Sequence, residues 1–242
     1  MGRDVSLSVL IPAFNEEKHL ERTVDAVRAA VGSTVPNLEI LIVDDGSSDA
    51  TADIARKLEK DDPRVRLLVN PVNLGLGASY KRGLYEAVKT HFVYIPGDNS
   101  WPAASLAQII GSLGRTDVVT SYATNPEVRV GYRRVVSTLY TRLVNALFGF
   151  DLRYYNGLTI YPLPFVQRHP PTTTGFGFQA ELLLHALASG LSVTEVGVPI
   201  EEDAGRRSRA ITLRNIVSVL RTLVATFWAL RVRATPRTVP AS

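Results

Sequence analysis

Leu7-Ser8-Val9-Leu10-Ile11-Pro12-Ala13-Phe14-Asn15-Glu16-Glu17 and Ile40-Leu41-Ile42-Val43-Asp44-Asp45-Gly46-Ser47-Ser48-Asp49 decide the fold. Each is a short apolar run that ends in a polar turn and leads into a helical stretch. In a chain that alternates such runs with helical stretches, they read as strands of a parallel sheet. Side by side, two such strand ends make a pocket suited to a nucleotide, because ligands of open α/β sheets gather at the carboxyl ends of the strands.

Outward from these stretches the alternation continues to about residue 120. Strands are expected at Val5–Ile11, Leu38–Val43, Val65–Val69, Phe92–Ile95 and Asp117–Ser121, with helices at Glu16–Ala30, Asp49–Lys60, Gly77–Thr90 and Pro102–Leu113. Ser48 or Asp49 suits the cap of the second helix, and Pro102 the first turn of the fourth. Such alternation predicts an α/β fold built of right-handed βαβ units, with helices on both faces of the sheet. Beyond residue 120 the pattern loosens. Arg133–Phe148 reads as an amphipathic helix with Val136, Leu139, Tyr140, Leu143, Val144 and Leu147 on one side. Leu158–Tyr161 is a short apolar piece before a Pro-rich turn, Phe178–Ala188 a helix, Leu191–Val196 a strand, Glu201–Arg209 a polar loop and Ile211–Val232 a long helix. No internal repeat or linker is evident. The chain reads as a catalytic domain over residues 1–210 followed by a basic amphipathic helix and tail over 211–242.

Bulk composition narrows the choices. A chain of 242 residues can bury a sizeable core. With no cysteine, disulfides, thiolate zinc sites and thiol nucleophiles are excluded, and a cytoplasmic chain is expected. The amino-terminal residues lack the apolar core of a signal peptide, and no run is apolar for the ~18 residues that a spanning helix needs. Charge is uneven: from Ala204 to Ser242 there are eight arginines and no Asp, Glu or Lys. That tail suits an anionic partner, whether membrane surface or phosphate. No nucleic-acid partner is expected, because no aromatic-and-basic module accompanies the charge.

Three polar turns and one helix start carry the candidate chemistry. Asp44-Asp45-Gly46-Ser47 offers a carboxylate to a ribose or base edge and a glycine for close backbone approach, or else an acidic helix start. Gly97-Asp98-Asn99-Ser100 offers hard oxygen ligands for Mg²⁺ or Mn²⁺ shared with a diphosphate, or else an Asx turn. Asn73-Leu74-Gly75-Leu76-Gly77 with Lys81 is a glycine-rich helix start that favours an anion, or a tight turn. Glu181, at a helix start after Thr174-Gly175-Phe176-Gly177, is either a general base or a partner of the helix dipole.

Taken in order, Pro12-Ala13-Phe14-Asn15-Glu16-Glu17, Asp44-Asp45-Gly46-Ser47-Ser48-Asp49, Asn73-x-Gly-x-Gly77 and Gly97-Asp98-Asn99 resemble family 2 of the inverting glycosyltransferases. The resemblance is to its dolichol- and polyprenyl-phosphate mannose or glucose synthases in particular. It continues through Arg134-Val-Val-Ser137, Asn156-Gly157, Phe178-Gln-Ala-Glu181, Glu195-Val-Gly-Val-Pro199 and Gly205-Arg206-Arg207-Ser208-Arg209. It implies a GT-A fold and transfer of a hexose from a nucleoside-diphosphate sugar, GDP-mannose or a UDP-sugar. It places the nucleoside against Pro12, Ala13, Phe14, Glu16, Asp44, Asp45 and Gly46, with Asn73, Gly77, Lys81, Gly97 and Asn99 completing the donor site. A divalent cation is implied at Asp98 and Ser100, and catalytic roles at Asp98, Arg206 and, for a hydroxyl acceptor, Glu181. Arg206, Arg207 and Ser208 would close over donor or acceptor. Where the family has Asp-x-Asp, this chain has Asp98-Asn99-Ser100. Where polyprenyl-phosphate synthases carry an arginine after the fifth strand, it has Tyr122-Ala123-Thr124, leaving Arg129, Arg133 or Arg134 as substitutes. The implied acceptor is a polyprenyl phosphate; the alternatives are a soluble small molecule or glycan hydroxyl, or a catalytically weakened nucleotide-sugar-binding protein. The carboxy-terminal helix packs on the core, dimerises the chain or lies on a membrane surface, which would put the protein at the inner face of the membrane.

Overall fold

The computed structural model describes residues 5–32, 34–128, 131–173, 175, 177–201 and 213–234. Seven strands form one sheet: β1 (Ser6–Ala13), β2 (Asn37–Asp44), β3 (Val65–Val69), β4 (His91–Tyr94), β5 (Val118–Ala123), β6 (Thr159–Pro162) and β7 (Val193–Val198). Their order is β3-β2-β1-β4-β6-β5-β7, and all neighbours run parallel except β6, which is antiparallel to both β4 and β5. The helices are α1 (Leu20–Val31), α2 (Thr51–Asp61), α3 (Leu76–Glu86), α4 (Ala103–Ile110), α5 (Gly131–Phe148), α6 (Leu163–Arg168), α7 (Phe178–Ala188) and α8 (Leu213–Ala234).

Alternate residues of the central strands feed two cores. Leu7, Val9 and Ile11 of β1 join Ile40 and Ile42 of β2 on the face covered by α1, α2 and α4. Leu10, Leu41 and Val43 point the other way, toward Tyr80 and Leu84 of α3 and the apolar side chains of α7. Strands buried on both sides carry near-continuous apolar sequence for this reason. The helix α7 is buried nearly all round, as its sequence requires, because α8 covers it through Leu223.

Several boundaries differ from the expected ones, each for a local reason. The first helix starts at Leu20 rather than Glu16, because residues 14–17 form a turn whose backbone amides bond to the next loop. The third stops at Glu86 rather than Thr90: the amides of Val88 and Lys89 instead donate to Glu39 Oε2 and Ser8 Oγ. Neither Ser48 nor Asp49 occupies the cap of α2, whose first residue Thr51 follows Ala50; Asp49 Oδ1 accepts the Thr51 amide instead. Pro102 precedes α4 rather than lying in its first turn. The expected Pro-rich turn after β6 is the short helix α6, which accepts proline in its first turn where no amide is needed. The apolar side of α5 is divided: Val144 is buried, whereas Val136, Leu139, Leu143 and Leu147 are exposed.

The antiparallel strand β6 is admitted by one glycine. A Cβ built on Gly157 would lie 1.8 Å from the Ser121 carbonyl oxygen, a backbone atom that cannot swing aside. We expect Gly157→Ala to destabilise the fold by about 3 kcal/mol or more; a urea-denaturation midpoint close to that of the unmodified protein would contradict this close approach.

Candidate functional site

The carboxyl ends of β2, β1 and β4 are neighbours in the sheet, so the turns 44–49, 12–17 and 97–100 line one edge in that order. Because β6 runs the other way, its start, with Asn156 and Gly157 just before it, comes to the same edge between β4 and β5. The start of Glu201–Arg209 also arrives there, since the Glu201 amide donates to the Ser100 carbonyl at 3.0 Å. Asn125, after β5, brackets the preceding residue: its Nδ2 donates to the Ile200 carbonyl and its Oδ1 accepts the Ile200 amide, both at 2.9 Å.

Side chains and backbone stitch the first two turns together. Asn15 Oδ1 accepts the Ser48 amide at 2.9 Å, and the Asn15 amide donates to Ser47 Oγ at 3.0 Å. The Glu16 amide donates to Thr51 Oγ1 at 2.8 Å, and the Glu17 amide to Asp49 Oδ2 at 3.2 Å. Burial alone would raise the Asp49 pKa, but hydrogen bonds from Thr51 and Glu17 hold it below the ordinary carboxylate value. Asp44 is buried, with Oδ1 accepting the Ser47 amide at 3.3 Å, while the Phe14 ring stands exposed beside the turn.

Asp45 is 4% exposed and has another employment. Its Oδ1 accepts from Asn70 Nδ2 at 2.7 Å and the Leu74 amide at 3.0 Å, and its Oδ2 accepts the Gly75 amide at 2.8 Å. The glycine-rich turn expected to hold a ligand's anion thus spends two amides on the chain's own carboxylate. Asn73 is exposed above it and Lys81 partly so; Gly77 is buried. Gly46 takes φ +72°, and a Cβ there would come within 2.5 Å of the Val72 carbonyl carbon, so this turn and the 70–75 turn pack backbone to backbone.

Around Asp98 the chain forms an Asx-type turn: Oδ1 accepts the Ser100 amide at 3.1 Å and Ser100 Oγ at 2.6 Å. Asn99 has φ +54° and donates its amide to Thr23 Oγ1. Gly97 lies against the end of β1, 3.0 Å from the Pro12 carbonyl oxygen when a Cβ is built. Among the described residues no three acidic or histidine side chains converge on a point. One carboxylate and one hydroxyl fit a Mg²⁺ or Mn²⁺ whose remaining ligands are phosphate oxygens and water, rather than a protein-built cage.

On the far side Glu181 is 2% exposed, with Oε1 accepting from the Thr172 amide at 2.8 Å and Thr172 Oγ1 at 2.6 Å, and Oε2 from the Thr173 amide at 3.4 Å. The turn it holds contacts α8: a Cβ on Gly175 would meet Ser218 Oγ at 2.5 Å, and one on Gly177 would meet Thr222 at 3.1 Å. Arg134 is exposed near the start of α5. Arg129, Arg206, Arg207 and Ser208 lie outside the described residues.

The sequence placed Asn99 in the donor site and Asn15 in a motif, but showed the conformation of neither: they are the two non-glycine residues with positive φ among those described, and asparagine in a turn between a strand and a helix is the available signal. Asn70 and Asn125 escaped the sequence reading; they carry no such signal, because their partners are distant in sequence. Asn156 Oδ1 is buried without a hydrogen-bond partner among the described residues.

The family model described as Glycosyl transferase family 2 matches residues 8–167, well over half of the chain. An undecaprenyl-phosphate mannosyltransferase of Micrococcus luteus is 26% identical over 233 residues, covering 90% of this chain and 94% of that protein. A polyprenol monophosphomannose synthase of Mycolicibacterium smegmatis is 28% identical over 207 residues, 80% of this chain and 77% of that one. Glycosyltransferase AglD of Haloferax volcanii is 26% identical over 239 residues, but the alignment spans only 38% of its length. Among solved structures, glucosyl-3-phosphoglycerate synthase of Mycobacterium tuberculosis, in complex with Mn²⁺, UDP and phosphoglyceric acid, superposes with a TM-score of 0.68 at 22% identity, over 97% of this chain and 80% of that one.

Asp45→Ala would take an acceptor from the buried Asn70 amide group, which keeps Ser79 Oγ, and from the part-buried amides of Leu74 and Gly75. We expect a loss of about 2–4 kcal/mol of stability and faster hydrogen exchange at the Leu74 and Gly75 amides. Unchanged exchange there would show that the carboxylate does not hold the turn.

Proposed function

We infer that this chain, which belongs to glycosyl transferase family 2 and has the GT-A fold, transfers a hexose with inversion from a nucleoside-diphosphate sugar to a polyprenyl-phosphate-type acceptor. The observation that carries the reading is the adjacency of the three turns at the ends of β2, β1 and β4. In this reading Pro12, Ala13, Phe14, Glu16, Asp44 and Gly46 receive the nucleoside of a GDP-mannose or UDP-sugar. Asp45 supports them from behind, by fixing the turn that carries Asn73. Gly97, Asp98 and Asn99 receive the diphosphate, and Asn156 Oδ1 accepts from a sugar hydroxyl.

Asp98 and Ser100 would hold Mg²⁺ or Mn²⁺ jointly with the donor's phosphates. When bound, the cation offsets negative charge on the leaving diphosphate. An acceptor phosphate oxygen attacks the anomeric carbon from the face opposite the diphosphate; the bond to the diphosphate breaks and the electron pair leaves with it. That oxygen is already anionic, so no proton has to be removed. This suits Glu181, whose two oxygens are both occupied by the 172–173 turn: we assign it a positioning role, not that of a base. Arg206 is assigned to the charge on the reacting phosphates, with Arg207, Ser208, Arg129 and Arg134 on the acceptor's phosphate. Support for a lipid-phosphate acceptor comes from the two relatives matched over most of their length, one named for undecaprenyl phosphate and the other for polyprenol monophosphomannose. The reading places the chain at the cytoplasmic face of a membrane, in peripheral contact with it.

Asp98→Ala should lower transfer at least about a hundredfold while the melting temperature stays put; undiminished activity would sink the site assignment. A thermal-shift screen of GDP-, UDP- and dTDP-sugars with and without Mn²⁺ should show stabilisation by one base only, larger with the metal. Donor binding without transfer to any acceptor would identify a binding protein instead. For Glu181→Gln we expect kcat with polyprenyl phosphate to fall by no more than about tenfold. A loss of about a thousandfold in a folded variant would return Glu181 to the role of base and favour a hydroxyl acceptor.

A further inference from the structure

An α-helix packed on a globular protein turns its apolar stripe inward; α5 turns most of its stripe outward. Tyr132, Val135, Val136, Leu139, Leu143 and Leu147 recur at helical spacing and are 41–60% exposed. On α8, Thr222, Leu223 and Thr226 face the protein, while Val217, Leu220, Val224 and Trp228 are 39–63% exposed. The two helices meet where the Phe148 and Phe227 rings pack edge to face, 5.8 Å between centroids. At that contact the exposed Leu147 adjoins Phe148 in the chain and the exposed Trp228 adjoins Phe227, and α8 carries a shallow hollow at Val217, Leu220, Arg221, Val224 and Ala225.

Charge decides what covers it. Together α5 and α8 carry seven arginines (133, 134, 142, 214, 221, 231 and 233) and no Asp, Glu, Lys or His. Arg134, Arg142, Arg221 and Arg231 are exposed, and the Arg231 guanidinium lies 5.0 Å from the centre of the Phe227 ring. A second copy of the chain would oppose arginine to arginine with no acid on either side, an arrangement that interfaces avoid. An anionic lipid surface answers both features, with phosphates for the arginines and an acyl boundary for the stripe, and an exposed tryptophan suits that boundary. Among the described residues no helix is long and apolar enough to cross a membrane, so both would lie in its plane.

We propose that α5 and α8 form a single docking face for an anionic bilayer surface, with α5 an equal contributor. This rests on the peripheral contact of the proposed function and names the surface that makes it. Because α5 follows β5 from the carboxyl edge of the sheet, the docked face adjoins the edge that holds the Asp98 turn.

Flotation of the full-length protein with phosphatidylcholine vesicles, with and without phosphatidylglycerol, tests it. Binding is expected to the anionic vesicles, weakening as NaCl is raised. Leu139→Gln with Leu143→Gln should lower binding about tenfold, as should Val224→Gln with Trp228→Gln. The α5 pair should keep the unmodified melting temperature and the same stabilisation by the donor sugar. If the α5 pair binds vesicles like the unmodified protein while the α8 pair does not, α8 alone makes the contact and the paired face is wrong. If the unmodified protein ignores anionic vesicles, the peripheral reading falls with it. A dimer in light scattering that the α5 pair abolishes, without vesicle binding, would make a second copy the occupant and overturn the proposal.

Discussion

A buried carboxylate without a cation beside it must be satisfied by hydrogen bonds, or it costs several kcal/mol. Asp45 meets that demand with three donors drawn from the 70–75 segment, and in doing so ties the glycine-rich turn to the end of β2. Asn70 extends the tie into α3 through Ser79 Oγ and Arg82, and its own amide donates to the Asp44 carbonyl. On the other side of Asp44, the Asn15, Glu16 and Glu17 bonds fasten the end of β1 to the same loop. The edge that would receive a nucleotide is thus held by internal polar contacts, and its shape does not wait for a ligand. Preorganisation of this kind removes an ordering cost from binding.

The same edge holds the two asparagines in left-handed conformation, one in the turn after β1 and one in the turn after β4. Such residues persist where the surroundings over-determine them, and they cluster at sites. At the opposite ends of the strands the buried polar groups are conventional: Ser8 Oγ donates to Glu39, and Glu39 pairs with Arg66, whose pKa is raised by that contact. Beyond β4 the molecule is put together differently, from segments distant in sequence: the start of β6, the turn held by Glu181, and the α8 helix that rests on Gly175 and Gly177.

This contrast explains what could be read in the sequence. The β2-β1-β4 half follows from local patterns, apolar runs punctuated by turns, and its strands lie close to where periodicity puts them. Asp44, Gly46 and Asp98 stand at strand ends because each turn directly follows its strand. The direction of β6 could not be read, since four residues show no direction and pairing is a long-range property. Periodicity could find the α5 stripe but not which way it faces, because an inward and an outward stripe have the same spacing. Nor could it tell that the anion held by Leu74 and Gly75 is Asp45, which looks like a ligand-facing residue beside Asp44 until the fold brings the two turns together. Glu181 was legible as a carboxylate at a helix start; that its oxygens are already engaged depends on a turn nine residues earlier.

The place of β6 also bears on how the chain assembles as it is made. The first four strands can complete β3-β2-β1-β4 as soon as β4 emerges, because each pairs with a strand already present. β5 cannot join them: its partners are β6 and β7, both later in the chain. Until residues 159–162 are available, β4 keeps an open edge of unpaired amides and carbonyls, and β5 has no partner. An open edge is where a growing chain is most exposed to pairing with another. The Gly157 contact that admits β6 therefore closes that window as well as the sheet.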